Sequence, residues 1–253
     1  MEQYSQLYSV YDELNESFNY DKLADFLSQV IKENEKISTA LVLDLACGTG
    51  KLTFKLRDRG YDMTGIDLSS GMLSMAQEYA ISNDIKDVLF LCQDMTEFEL
   101  YGTVDACVCT LDSINYLTKI SDVKKCFSLV HNYLIPDGVF VFDINTPYRF
   151  KEIYANNDFV LENKGSLCAW QNEYNEKTKI CKFYLSIFKE NEDGSYERYD
   201  EIQKEKCYER KQIEKALLES GFEIIAVYGD TDKKAAENTD EKWYFVARCK
   251  NNY

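Results

Sequence analysis

Residues 41–50 read LVLDLACGTG, three apolar residues followed by an acid, Asp44, and a turn carrying Gly48 and Gly50. An apolar run that ends in such a turn is how a buried parallel strand hands over to a helix, and glycine there lets the backbone approach a ligand closely. Whether that ligand carries phosphate is the first question. A dinucleotide-binding turn, G-x-G-x-x-G, uses its third glycine for close helix packing and offers helix amides to a pyrophosphate. Here Thr53 occupies the third position, and Asp44 would set a negative charge beside the phosphates. A ligand without phosphate that carries a positive amino group meets neither objection.

Outward from this turn the chain alternates as α/β proteins do. Upstream, Leu23, Phe26, Leu27, Val30 and Ile31 recur at helical spacing. Downstream, a helix through Leu52 and Leu56 leads to Gly60 and the strand YDMTGID. Ser69 or Ser70 can cap the next helix, whose Met72, Met75, Ala76, Tyr79 and Ala80 form a stripe. The strands VLFLCQD and VDACVCTL follow, then a helix with Val123, Phe127, Val130 and Leu134 on one face. Pro136, Asp137 and Gly138 stop it before the strand GVFVFDIN. Five apolar strands separated mostly by amphipathic helices predict a doubly wound parallel sheet with the ligand at the carboxyl ends of the strands. From residue 158 to 208 the pattern changes to strand-like runs broken at NKGS, NEKT and Asp193-Gly194, an antiparallel insert. A helix around residues 213–218, stopped by Gly221, and the strands FEIIAVYG and KWYFVARC close the chain. Residues 1–157 and 209–253 are thus expected to form one domain, with 158–208 an appendage over the ligand side.

Composition narrows the partners. At 253 residues, 45% of them hydrophobic, the chain can bury a sizeable core, and no stretch reaches the roughly 18 continuous apolar residues of a membrane span. The acidic start MEQYSQLYSVYDELNE resembles no signal peptide, so a cytoplasmic protein is expected. A net charge of −15 repels phosphate backbones and favours small or cationic partners over nucleic acid. Nine cysteines, an odd number lying mostly inside apolar runs, read as small buried hydrophobes, and no metal site is expected. Cys107 and Cys109, two apart in a strand, point to one face. His131, the only histidine, sits at the edge of an apolar helical face and reads as structural.

S-adenosylmethionine (SAM) has both a positive amino group and a sulfonium, and no phosphate. Asp67 ends the second strand, where a carboxylate can accept from both ribose hydroxyls, although NAD enzymes use the same contact. Asp94 ends the third, where it can accept from the adenine amino group while the Met95 backbone faces the ring edge.

The order DLACGTG, GIDLSSGML, CQDM, LDSINYL and PDGVFVFDIN across residues 41–145, with the terminal helix and strand pair and an N-terminal YSVYDELN, resembles the class I SAM-dependent methyltransferases, in particular bacterial small-molecule enzymes. The resemblance implies a Rossmann-like, seven-stranded sheet with its last strand antiparallel. It implies that Asp44 and the turn through Ala46, Gly48, Thr49 and Gly50 hold the methionine part of SAM, Asp67 the ribose, and Gln93, Asp94 and Met95 the adenine. Leu68 and Met72 would pack on the adenine, the Leu111 carbonyl would approach the amino group, and Tyr11 would close over the cofactor. Ala46 departs from the family's usual first glycine.

After the fourth strand the family varies with its acceptor, so Asp112, Ser113, Asn115 and Tyr116 carry over as pocket candidates, with Asp112, Asn115 and Tyr116 the catalytic ones. Tyr4, Trp170 and Tyr174 are candidates for contact with the acceptor; the last two stand four apart, on one face of a strand. Structural readings compete: Asp112 as a turn cap, Tyr4, Tyr8 and Tyr11 as an amphipathic segment, Trp170 and Tyr174 as core of the insert. An amine needs no base to attack the sulfonium methyl once it is neutral, whereas a hydroxyl must lose its proton. Without a histidine near the site, a nitrogen acceptor, or one that ionises unaided, is favoured over one that needs Asp112 or a tyrosine as base. The expected activity is methyl transfer from SAM to a small molecule, leaving S-adenosylhomocysteine. A SAM-binding regulator without catalysis and a nicotinamide dehydrogenase are the competing readings.

Overall fold

A computed structural model of the chain describes residues 12, 15–155, 157–163 and 165–250. Tyr4, Tyr8 and Tyr11 lie outside the described residues. Helix α1 (Tyr20–Asn34) buries Leu23, Phe26, Leu27, Val30 and Ile31, as their spacing predicts, and Asn19 caps it by accepting from Lys22 N at 2.9 Å. Then come β1 (Leu41–Leu45), α2 (Lys51–Arg57), β2 (Asp62–Asp67), α3 (Ser70–Ser82), β3 (Val88–Cys92), β4 (Val104–Cys109), α4 (Ile120–Tyr133) and β5 (Leu134–Asn145). Four strands follow, β6 (Asp158–Asn163), β7 (Ser166–Asn175), β8 (Ile180–Glu190) and β9 (Tyr196–Lys206), and α5 (Arg210–Glu219), β10 (Phe222–Tyr228) and β11 (Lys242–Cys249) end the fold.

Seven strands form one sheet in the order β10-β11-β5-β4-β1-β2-β3. Only β11 runs against its neighbours, β5 and β10; the other pairs are parallel. This is the doubly wound, Rossmann-like sheet with an antiparallel last strand. Alternation along the strands feeds two cores: Val139 and Val141 pack with Leu27 and Ile31 on one side, while Phe140 and Phe142 pack with Phe127 and Leu217 on the other. Cys107 and Cys109 do share a face, inside the second of these cores. Strand order reverses beside β1, between β2 and β4, and a crevice at the strand ends is expected at such a switch.

Three local expectations need correction. In α3 the buried residues are Met72, Leu73 and Ala76, while Tyr79 is 52% exposed and lies over Phe54 at a centroid distance of 4.7 Å. Strand β5 begins at Leu134, so Pro136, Asp137 and Gly138 lie inside it. They take up a register shift between the pairs Val104–Leu134 and Ala106–Val139, and a Cβ on Gly138 would lie 2.8 Å from the Asp105 carbonyl. All nine cysteines are free, but Cys92 is exposed, because β3 is an edge strand.

The insert is a separate antiparallel sheet, β6-β7-β8-β9, reached through a π-helical turn at Arg149–Tyr154. Phe150, Tyr154, Cys168, Phe183 and Ile187 make its core. The inward face of β9 breaks the usual pattern: Glu201, Gln203 and Glu205 alternate along it and are at most 4% exposed. Carboxylates are rarely buried without a reason.

Candidate active site

A cavity of about 370 Å³ opens at the carboxyl ends of β1, β2 and β3. Asp44 is 2% exposed at its floor and accepts from Thr53 Oγ1 at 2.6 Å. Burial, eased by the Thr53 bond and reinforced by the charge of Asp67, pushes its carboxyl up to about 7. Thr53 is therefore a built partner of the acid, a role that the missing third glycine alone did not reveal. The turn above it is strained: Ala46 has φ 62° and Gly48 φ 57°. At position 46 alanine takes the left-handed conformation for which glycine is the default, at a cost on the order of 1 kcal/mol. Gly48 N donates to Asp67 Oδ2 and Ser69 N to Oδ1, both at 2.8 Å, so the end of β2 fixes the turn after β1. Burial still raises the Asp67 carboxyl above its ordinary range despite these bonds. Gly50 stands behind the wall, where a Cβ would crowd Phe90, Ala76 and Phe54 at 3.0–3.1 Å.

Leu68, Met72, Gln93, Asp94, Met95 and Leu111 line the rest of this cavity. Leu68 is 55% exposed and Met72 buried, so one forms the rim and the other the wall. Two of the polar residues are already engaged. Asp94 Oδ1 accepts from Thr96 N and Oγ1 at 2.7 and 2.8 Å, and Gln93 exchanges hydrogen bonds with the Glu99 backbone. The side chain of Thr49 donates to Asp12 Oδ1 at 2.8 Å, which sets Asp12 against the turn.

A second cavity, of about 440 Å³, lies between the two sheets and shares Tyr20, Leu111 and Tyr116 with the first. Its apolar wall comes from the insert, from Trp170, Phe183 and Leu185, with Phe18 and Tyr154. Its polar wall holds Asp112, Arg149, Gln203, Glu205 and Lys242. The Lys242 ammonium sits 2.6 Å from Asp112 Oδ1 and 3.0 Å from Asp143 Oδ1, and these carboxylates hold it protonated against the effect of burial. Asp143 also accepts from the Leu111 and Asp112 amides at 2.8 and 2.7 Å, pinning both in left-handed conformations, φ 57° and 58°. The Tyr116 hydroxyl donates to Gln203 Oε1 at 2.9 Å and so ties the loop after β4 to the insert.

The structure separates the acceptor candidates. Tyr116 stands where the cavities meet. Burial disfavours the charge on Asp112, but Lys242 outweighs it and keeps the carboxyl below its usual range, which makes Asp112 a weaker base than an ordinary carboxylate. Asn115 is fully buried and spent on backbone: it accepts from Asn145 N at 2.9 Å and donates to Lys206 O at 2.9 Å, a clamp between sheet and insert, outside both cavities. Trp170 lines the second cavity, whereas Tyr174, partly buried, packs on Phe150 at 6.1 Å against the insert's core. Tyr4 and Tyr11 fall outside the described residues. Sequence reasoning missed Tyr20, Arg149, Gln203, Glu205 and Lys242, which reach the site only through tertiary contacts. The one available signal was the period-two acid and amide pattern in EIQKE, residues 201–205. His131 packs edge-on against Phe222 at 5.4 Å, far from either cavity wall.

These walls fit SAM on two grounds. Asp44 is an acid made basic enough by burial to seek a cation, and the glycine turn has nothing within 4 Å of where a Gly48 Cβ would stand. Residues 42–138 match the model of a methyltransferase domain family. The protein YqeM of Bacillus subtilis (strain 168), named as a methyltransferase, is 32% identical over 97% of this chain and 96% of its own. A second protein so named, from Geobacillus sp. (strain WCH70), is 31% identical over 94% of this chain and 96% of its own. The crystal structure of a SAM-dependent methyltransferase from Clostridium acetobutylicum ATCC 824 superposes with a TM-score of 0.88 at 31% identity, covering 98% of this chain and 99% of that one.

Proposed function

The chain belongs to the class I SAM-dependent methyltransferases, and from that membership we propose that it methylates the nitrogen of a small amine held in the second cavity. The dehydrogenase reading gives way to the family. More distant relatives carry names of both kinds, a glycine/sarcosine N-methyltransferase of Parasynechococcus marenigrum at 26% identity and a malonyl-[acyl-carrier protein] O-methyltransferase of Bacillus anthracis at 24%, so names do not choose the acceptor atom. The observation that carries the proposal is the lining of the second cavity: the rings of Tyr20, Tyr116 and Trp170 stand with the Glu205 carboxyl, which unlike Asp112 is not paired with Lys242, and rings and carboxyl together favour a cationic nitrogen.

In this reading Asp44 and the turn through Ala46, Gly48 and Thr49 hold the methionine part, Asp67 the ribose hydroxyls, and Asp94, Met95, Leu68 and Met72 the adenine. The bound cofactor supplies an electrophilic methyl group on a sulfonium. The chain's task is to bring the nitrogen in line with it, to exclude water and to deal with the acceptor's proton. Tyr116 and Leu111 form the passage between donor and acceptor, and residues 158–208 act as a lid whose Trp170 shelters the acceptor. The test is methyl transfer from radiolabelled SAM to a panel in which each small amine is paired with its hydroxyl analogue. Label should enter amines alone; label in the hydroxyl partners but in no amine would overturn the proposal.

A further inference from the structure

Glu205 is a buried carboxyl with no structural debt that requires a carboxyl. Its Oε2 accepts from Asn145 Nδ2 at 2.8 Å, which an amide oxygen would do as well, and it lines the second cavity together with Asp112. Two carboxyls in one buried site resist ionising together, and their surroundings decide which one holds a proton more tightly. Lys242 lies 2.6 Å from Asp112 Oδ1 and favours the negative charge there, which leaves Glu205 as the carboxyl with the raised proton affinity. Burial and the charge of Asp112 raise the Glu205 carboxyl well above its ordinary range, against smaller opposing effects of Asn145 and Lys242. Other charged or titratable groups around it are Asp143 on β5, Arg149 and Tyr154 on the π-helical turn, Tyr20 and Tyr116 in the lining of the same cavity, and Cys181, its register partner on β8. The pair thus consists of one carboxylate held ionised and one acid poised to exchange a proton, the arrangement that assigns acid and base roles in many sites.

We propose that Glu205 is the catalytic base that deprotonates a protonated amine acceptor in the second cavity, an inference that rests on the amine reading above. On entry of R–NH3⁺ beside it, neutral Glu205 releases its proton to solvent and becomes the carboxylate that balances the new charge. The carboxylate then takes one proton from the ammonium, giving R–NH2 and neutral Glu205. The nitrogen lone pair forms the C–N bond to the methyl carbon as the methyl–sulfur bond breaks, its electron pair remaining on sulfur. R–NH2⁺–CH3 leaves with Glu205 again neutral, and one proton has been released per turnover. A carboxyl with raised proton affinity suits this task because an ordinary one is too weak a base to take a proton from an ammonium.

Two measurements test the step. In protein with 13C-labelled glutamate, infrared difference spectra at neutral pH should show a protonated carboxyl band that shifts with the label and is missing from Glu205→Gln; the same band in the variant, or none in the native protein, overturns the assignment. The second uses whichever amine accepts label in the panel. For the native enzyme kcat/KM should level off with pH well below the amine's own pKa. For Glu205→Gln it should climb about tenfold per pH unit up to that pKa, where the two enzymes converge, and Glu205→Asp should restore part of the lost rate at neutral pH. Matching melting temperatures guard against a folding defect, since glutamine keeps the contact to Asn145. A deficit constant across pH, or no deficit, would show that Glu205 is structural while the amine reading stands. If no amine accepts label, the amine reading and the step fall together, and the infrared band still reports where the proton lies.

Discussion

Thr53 Oγ1 donates to Asp44 Oδ2 across 2.6 Å in a place where Thr53 is fully buried and Asp44 nearly so. One hydroxyl is a weak substitute for water around a carboxylate, which is why the acid sits at about 7 in the fold against 3.8 for an ordinary side chain. Between those pH values the folded chain holds a proton that the unfolded chain has lost. This group therefore favours the fold at low pH and takes stability away as pH rises towards 7. A bound ammonium group reverses the balance by favouring the carboxylate. SAM affinity should consequently fall by up to tenfold per pH unit below about 7, with close to one proton released on binding there and none at high pH. Calorimetry in buffers of different ionisation enthalpy measures both. Asp44→Asn should weaken binding and abolish the pH dependence; an unchanged slope would show that Asp44 is not the cation's partner.

Asp67 has a double duty, anchoring Gly48 and Ser69 amides and facing the cavity. Asp67→Ala should weaken SAM by about 1.5–3 kcal/mol through loss of charge-assisted hydrogen bonds. The same change should cost stability, because two amides at the turn lose their partner. Equal SAM affinity in a folded variant would place the ribose elsewhere.

Asn115 predicts the opposite pattern. Its amide joins Asn145 N to Lys206 O in a fully buried position, and Asn115→Ala leaves backbone groups unpaired there. Thermal or denaturant unfolding should register a loss of about 2–3 kcal/mol. SAM affinity should stay within a factor of about three, less than ~1 kcal/mol. A wild-type melting temperature with lost methyl transfer would restore Asn115 as a catalytic residue.

Trp170 and Tyr174 occupy one face of β7 and are expected to separate. Trp170→Ala opens the wall of the second cavity and should reduce acceptor turnover while SAM affinity changes by less than about threefold. Tyr174→Ala removes a partly buried ring packed against the insert's core and should lower stability by about 1–3 kcal/mol with the acceptor KM little changed. Michaelis kinetics beside melting curves distinguish the two, and an acceptor KM more sensitive to Tyr174 than to Trp170 would reverse their roles.

What the sequence made legible follows from range. The LVLDLACGTG turn, the acids at the ends of β2 and β3 and the stripe on α1 are local patterns, and each appears where its spacing put it. The Pro136-Asp137-Gly138 stop misled because a bulge in a strand and a break before it use the same residues. The acceptor side was the least legible. Lys242 comes from β11 and Glu205 from β9, 130 and 93 positions beyond Asp112, and only the folded sheet sets them together. Asp112 in LDSINYL read as a catalytic candidate or a turn cap for that reason, since its partner in the ion pair lies at the far end of the chain.

The most direct measurement of the central claim is a crystal structure with S-adenosylhomocysteine and the amine that accepts label. The account predicts the homocysteine amino group at Asp44, the sulfur facing Tyr116 and Leu111, and the acceptor nitrogen in the second cavity within hydrogen-bonding distance of Glu205, with Trp170 beside it. An acceptor nitrogen bound outside the space between the two sheets, with Glu205 still bonded to Asn145 and touching no acceptor, would contradict it.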